Sequence, residues 1–245
     1  MLKLLSVELL KVKRSQALWM MLVIPLVVVL LNLLIMLKRF AIGELADAQW
    51  LRFWQGNTML WCSFMMPLYI ALVTSLLNGH EHKNQTWRLM LTLPVSQREL
   101  YVAKAVLAWM FVVGANVILI GATALAIFSL GLAGASQTGA CVFPMFAFWA
   151  KVSLACIPIM LIQHAVSWRV RNLVLPLAVG VIATMAITQI GSSEYWVWYP
   201  WSYSMMAVGG KLPEMQSQAL LLAAGVGVAL FAASAIIVAG RETET

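Results

Sequence analysis

The chain has 245 residues, of which 62% are hydrophobic and only 10% are Asp, Glu, Lys or Arg, with a mean hydropathy of +0.89. Soluble domains carry about 25% charged residues, so a water-soluble enzyme or binding module is excluded, and one membrane domain over residues 1–245 is expected. The net charge of +7 is scattered over short connections between apolar runs, which is how a topology signal is distributed and not how a nucleic-acid surface is built.

Residues 1–16 carry the first pattern. At about 100° per residue, Leu2, Leu5, Leu9 and Val12 fall on one stripe and Lys3, Glu8, Lys11 and Arg14 cluster opposite. An amphipathic helix on the inner leaflet is expected, its basic face meeting anionic headgroups, with a turn near Ser15. The apolar window 17–37 follows, interrupted only by Asn32. It is longer than a signal-peptide core, so it reads as a retained span.

A helix needs about 20 apolar residues to cross the hydrocarbon, and five further windows qualify: 58–78, 105–130, 148–168, 173–190 and 219–239, the fifth of the six being the shortest. Six spans with the N-terminus inside put Lys3, Lys11, Lys13, Arg14, Lys83, Arg88, Arg98, Lys104, Arg169, Arg171 and Arg241 in the cytoplasm. Lys38, Arg39, Arg52, Lys151 and Lys211 fall outside. Eleven against five orients both termini to the cytoplasm, although Lys38 and Arg39, directly after the first span, point the other way. Cys62, Cys141 and Cys156 are odd in number and lack CxxC spacing, so no disulfide framework or zinc site is expected.

Residues 80–104 form the cytoplasmic connection between the second and third spans, and "HEHKNQTWRLMLTLPVSQREL" is a charged island in an apolar chain. Pro94 lacks an N–H and disfavours helix at Leu93, so a short helix over 86–92 must end there. Ser96-Gln97-Arg98-Glu99 then has the form of a capping box that starts the next helix in the cytoplasm. A bent-back helix carrying Glu81, Lys83, Arg88 and Arg98 has the shape of a docking element. By periodicity alone, a long solvated loop that collects charges fits equally well.

Other chemistry is sparse. His80, Glu81 and His82 lack the further histidine that HExxH needs, because position 84 is Asn84. His164 beside Gln163 reads as a proton relay or as a hydrogen bond to a neighbouring helix, the second being the commoner use. Asn32, Asn116 and Thr123 read as interhelical glue, and Lys151, about a turn inside the fourth window, as a cation that snorkels outwards and could meet an anionic group. The sole aspartate, Asp47, falls in an external loop, leaving no aspartyl dyad. No GxxxxGK[ST] phosphate loop occurs; in "VGGKL" Met205 stands where the first glycine must be. In the external segment 191–217, Tyr195, Trp196, Trp198, Tyr199, Trp201 and Tyr203 place aromatic rings at headgroup level. Pro200 breaks any helix there in two.

At "EHKNQTWRLMLTLPVSQRELYVAK" the sequence resembles ABC-2 type transporter permeases, in particular the branch with the lantibiotic-immunity and bacitracin-resistance permeases. The resemblance is carried by Glu81, Lys83, Asn84, Thr86, Trp87, Arg88, Leu93, Pro94, Ser96 and Lys104, and is joined by "ELLKVKRS" before the first span and "WYPWSY" between the last two. Gln97 stands where such permeases often carry a basic residue.

The resemblance implies an all-α integral membrane protein of six spans, the transmembrane domain of an ABC-2 type exporter. It implies no ATPase of its own: ATP and Mg belong to a separate cytoplasmic ATPase subunit, against which the 80–104 loop packs as a coupling helix. The chain would pair with itself or a sibling permease in a bacterial cytoplasmic membrane and expel an amphipathic compound, a peptide antibiotic first among them. Lipids and other hydrophobic compounds also suit such a cavity. The external residues Trp196, Trp198, Tyr199, Pro200 and Trp201 would then form a lid. Two other classes compete with transport by ATP: a membrane-embedded sensor or scaffold whose loop binds a cytoplasmic regulator, and a proton-driven carrier, disfavoured because the spans hold no Asp or Glu.

Overall fold

A bilayer offers no partner for an exposed backbone N–H or C=O, so a chain this apolar must satisfy its backbone within helices. The computed structural model describes residues 2–13, 15–83, 96–170, 172–191, 193–210 and 212–242, and no strand occurs among them. Helix α1 (Leu2–Val12) leads through Ser15, whose hydroxyl caps the Ala17 N–H at 3.2 Å, into α2 (Gln16–Arg39). Helix α3 (Asp47–Leu60) continues without interruption through a π-helical turn, Trp61–Met65, into α4 (Met66–Lys83). Then come α5 (Gln97–Leu132), α6 (Met145–Ala155), α7 (Ile157–Arg169) and α8 (Val174–Ile190). Two 3₁₀ turns, Glu194–Trp198 and Pro200–Ser202, lead to α9 (Tyr203–Gly209) and α10 (Pro213–Glu242).

Four stretches are long and apolar enough to cross a membrane: Gln16–Arg39, Asp47–Gly79, Gln97–Leu132 and Pro213–Ser234. The pair α6 and α7, bent by 40° at Cys156 just before Pro158, makes up to five. Helix α8 is apolar but has only 17 residues, about 25 Å at 1.5 Å per residue. Each of the six sequence windows therefore falls on helix, the count of spans depending on whether the bent pair and α8 each cross.

The second window is the one whose extent differs most. Its helix starts at Asp47, not at residue 58, and this polar stretch is held by a stripe of Trp50, Trp54, Asn57 and Trp61 spaced to share one face. Trp50 Nε1 donates to the Ser136 carbonyl (2.7 Å) and Trp54 Nε1 to that of Ala140 (3.1 Å), with Trp54 stacked on Phe143 at 5.0 Å. The connection between α5 and α6 is thus fastened to α3. Deeper, Asn57 donates to Thr123 (3.1 Å), Trp61 Nε1 to Asn116 Oδ1 (2.8 Å), and Asn116 Nδ2 to Ser153 (3.3 Å). Asn116 and Thr123 are interhelical glue, as their positions suggested. Asn32 donates to the Val28 carbonyl of its own helix (3.2 Å).

Helix α2 lies along α5, while α4 packs between α7 and α8. The α4–α8 approach is set by Gly180, where an added methyl would overlap the Ala71 side chain. Gln163 of α7 supports the same point, its amide oriented to donate to the Pro176 carbonyl and accept from the Gly180 N–H, both at 3.2 Å. We expect Gly180→Ala to lower stability by about 1–3 kcal/mol through overpacking. Gly121→Ala, which meets nothing within 4 Å, should leave stability unchanged or slightly raised. Thermal unfolding of the two variants in the same detergent checks the difference.

Candidate functional site

The end of the bundle that carries the charged segment is organised by a lysine. Lys104, in the second turn of α5, is only 2% exposed, and an ammonium so buried must be paired. Its Nζ lies 3.0 Å from Glu8 Oε2 and donates to the Leu77 carbonyl of α4 at 3.0 Å. Glu8 is also 2% exposed and reaches Lys11 at 2.5 Å. Burial pushes the Glu8 carboxyl up, but Lys104 and Lys11 together outweigh it and hold its pKa below the ordinary carboxylate value. One ion pair thus joins α1, the last turns of α4 and the first turns of α5.

This corrects the expected face of α1. Glu8 does not sit opposite the apolar stripe: it lies between Leu5 and Val12, three and four residues away, and all three face the bundle. Leu9, assigned to the apolar stripe, is exposed instead. The wheel placed Glu8 outwards because it is charged; the spacing of Leu5, Glu8 and Val12, with a lysine partner beyond the second span, was the signal available.

Behind the ion pair, Asn78 of α4 donates to Ser167 Oγ (2.7 Å) and contacts His164 Nδ1 (3.2 Å). His164 Nε2 meets the Tyr101 carbonyl at 3.2 Å. A carbonyl only accepts and the Asn78 amide nitrogen only donates, so the network assigns a neutral His164 protonated at Nε2. The Tyr101 ring packs against His164 at a tilt (4.5 Å, 45°) and meets Trp168 edge-on (5.2 Å). His164 is therefore interhelical glue between α4, α5 and α7.

Helix α4 extends to Lys83 and α5 starts at Gln97, so both flanks of the expected 80–104 loop are helical and Lys104 belongs to the bundle core. Ser96 caps α5 as anticipated, accepting from the Glu99 N–H at 3.1 Å, and Arg98 is exposed in its first turn. Glu81 and Lys83 end α4, with side chains outside the described set; Asn84, Thr86, Trp87, Arg88, Leu93 and Pro94 lie outside the described residues.

At the other end, the aromatic segment divides into anchors and two exposed rings, Tyr195 and Trp198. Trp196, Trp201 and Tyr203 are buried, Ser202 Oγ donates to the Trp196 carbonyl (2.8 Å), Tyr203 to that of Val197 (2.7 Å), and Tyr199 to that of Ala183. Pro200 opens the second 3₁₀ turn, where the chain was expected to break. Trp198 is 83% exposed. These turns roof a cleft of about 740 Å³ whose walls include Ser63 and Phe64 of the π-helical turn, Ile187 of α8, and Met59, Met205 and Met206. Lys151 does not line that cleft; it donates to Gln216 Oε1 of α10 at 2.8 Å. Among the described residues no group of three or more His, Cys, Asp or Glu side chains is placed to hold a metal.

Residues 4–187 match the ABC-2 family transporter proteins. The match runs from α1 to α8, well over half the chain, and the chain belongs to that family. Its members are transmembrane permease components that work with an ATPase subunit and form dimers, and this chain is a multi-pass membrane protein of that kind. Neither the curated proteins nor the solved structures give a significant match.

Removing one partner of a buried pair strands the other charge, whereas replacing both with apolar groups is often close to neutral. We expect Lys104→Met to cost about 3 kcal/mol or more and Glu8→Leu/Lys104→Met to recover most of it, read as unfolding temperatures in detergent. The pH dependence follows from the depressed Glu8 pKa: the stabilisation is fully present above the ordinary carboxylate value and is lost as the pH falls through the lower folded value. Acid unfolding of the double variant should lack this component.

Proposed function

We propose that this chain is the permease of an ATP-driven exporter in a bacterial cytoplasmic membrane, with six spans, both termini in the cytoplasm and α1 at the inner leaflet. It works as a homodimer or with a sibling permease. A separate ATPase subunit binds ATP and Mg and docks on the segment 80–104, through Glu81, Lys83, Asn84, Thr86, Trp87 and Arg88, with Pro94, Ser96 and Arg98 joining that segment to α5. The observation that carries this reading is the Glu8–Lys104 pair with its Leu77 carbonyl contact: it ties α1 to both helices that flank the segment, so a push on the segment moves three helices together. That arrangement suits a mechanical joint and has no use in a solvated loop.

The outer cleft supports the substrate side of the reading. Its walls are mostly apolar and rich in methionine, a flexible side chain that adapts to varied apolar shapes. The exported compound is amphipathic, a membrane-active peptide antibiotic in the first instance, and the exposed Trp198, on the 3₁₀ turn whose Glu194 and Trp196 wall the cleft, acts as the moving edge of a lid.

Co-expression with the cognate ATPase and reconstitution in proteoliposomes tests the proposal. Trp87→Ala should weaken ATPase capture by about 2 kcal/mol if that ring is the interface anchor, and Glu81→Ala should retain capture while uncoupling hydrolysis from transport. Capture of the ATPase without ATP-dependent transport of any amphipathic compound would make the chain a scaffold. Trp198→Ala should leave the unfolding temperature unchanged, because the ring is exposed, and lower substrate-stimulated hydrolysis. Unaltered stimulation would reduce that ring to a membrane anchor.

A further inference from the structure

Between α5, α7 and α10 two hollows lie end to end on the lipid-facing side of the bundle. The first, about 290 Å³, is bounded by Tyr101, Trp168, Arg169, Leu230 and Ser234. The second, about 370 Å³, is bounded by Val106, Trp109, Ile157, Gly227 and Phe231, and the two share Leu161. They run in register: one turn along α5 from Tyr101 to Ala105, and back along α10 from Ser234 to Ala223. The eleven steps from Ala223 to Ser234 along α10 span about 16 Å, close to half of the roughly 30 Å hydrocarbon core. The groove is one leaflet long.

Its two ends differ in chemistry. Along the inner part the walls are apolar, and the one polar group there, the Trp109 N–H, is already taken by the Ser153 carbonyl at 3.0 Å. At the mouth, by the first turns of α5, stands the exposed Arg169, close enough to act electrostatically on the Tyr101 hydroxyl. Tyr101 is only 1% exposed, and its hydroxyl lies beside Ser234 without an ordinary hydrogen bond to it or to any other group among the described residues. The Ser234 hydroxyl donates to the Phe231 carbonyl at 2.9 Å. A buried hydroxyl without a partner is an unmet demand, and it lines a hollow whose rim carries a fixed positive charge.

We propose that this groove is a binding site for one anionic phospholipid. The phosphate is held by Arg169 and accepts a hydrogen bond from Tyr101, and one acyl chain lies along α10 to the level of Ala223. A phosphate with an acyl chain matches both ends of the groove at once, its cationic mouth and its apolar walls, whereas an apolar partner helix laid over it would leave the Tyr101 hydroxyl unmet. A basic group at the cytoplasmic mouth of a gap between membrane helices selects anionic headgroups. Tyr101 is also the ring packed against His164, three residues from Lys104, so the lipid sits directly against the joint. The orientation proposed above enters only in naming the leaflet as the inner one: were it reversed, the same lipid would be bound in the outer leaflet.

Native mass spectrometry of the purified chain with phosphatidylglycerol and phosphatidylcholine of identical chains tests the site without reference to transport. Phosphatidylglycerol should be retained preferentially, and Arg169→Gln should weaken its retention roughly five-fold while leaving phosphatidylcholine unchanged. Tyr101→Phe keeps the ring contacts with His164 and Trp168, and so the fold, and should weaken phosphatidylglycerol selectively. Ala224→Phe, which fills the apolar part, should weaken both lipids. Equal retention of the two lipids by the parent chain, or phosphatidylglycerol retention unmoved by both Arg169→Gln and Tyr101→Phe, overturns the proposal. Competition by soluble glycerol 3-phosphate at matched concentration would also overturn it, by showing a free-phosphate site in place of a lipid site.

Discussion

An ammonium held out of water at Lys104 is the constraint on which the charged end of this bundle depends. Burying such an ion costs several kcal/mol unless its partners are already in place. The partners come from two other helices: the Glu8 carboxylate of α1 and the Leu77 carbonyl of α4. Without α1 folded back on the bundle the charge would be stranded, so a helix of only 11 residues, too short to persist alone in water, is held in place by electrostatics as well as by Leu5 and Val12. Lys11 adds a second positive charge beside Glu8 at the water-facing edge, and the carboxylate stays ionised despite its burial.

The same scarcity of water explains where the helices break. Pro67 cannot donate to the Ser63 carbonyl, and its ring would crowd that carbonyl in a regular turn. The wider π-helical turn stands just before it, closed by the Met66 N–H on the Trp61 carbonyl, and Ser63 uses the irregularity to donate to the Met59 carbonyl at 2.5 Å. The break at Cys156 has the same cause in Pro158: Cys156 closes α6 on the Val152 carbonyl (3.1 Å), and Met160 reopens the ladder on Cys156 (3.0 Å). In the outer turns, the Ser202 and Tyr203 side chains cap carbonyls of the 3₁₀ turns, and the Tyr199 hydroxyl fastens those turns to the Ala183 carbonyl of α8. These three breaks are thus tied to proline or to side-chain hydroxyls, and two of them, the π turn and the aromatic turns, wall the outer cleft.

What was legible in the sequence followed the apolar periodicity. All six windows fall on helix, the Ser96 cap of α5 is where its residue type and spacing put it, and the split at Pro200 occurs. What was not legible shares one physical reason: polar residues were read as facing water. Glu8 was placed outwards for its charge, Asp47–Asn57 was read as loop because its polar residues mask the Trp50, Trp54 and Trp61 stripe, and Lys104 was counted among loop cations. In each case the polar group is buried against a partner tens of residues away: Glu8 with Lys104, Trp50 with Ser136, Trp54 with Ala140. A one-dimensional pattern carries the first partner and not the second. The resemblance to permeases did single out Lys104, but it could not say what the lysine touches.

The two ends of the molecule are linked by one element. The helix that offers the Leu77 carbonyl to Lys104 also carries Ser63 and Phe64 in the wall of the outer cleft, about 21 Å away along its axis. Between them its packing is tight: Ala71 faces Gly180 of α8, Asn78 faces His164 and Ser167 of α7, and Tyr69 donates to the Phe111 carbonyl of α5 at 3.2 Å. A helix gripped on three sides transmits displacement as a rigid rod. It yields where its ladder is already irregular, and that place is the π turn, one residue from Pro67 and open to the cleft. A shift at the loop end therefore has a structural reason to be felt at the cleft wall as a change in the position of Ser63 and Phe64, not as a bend spread along α4.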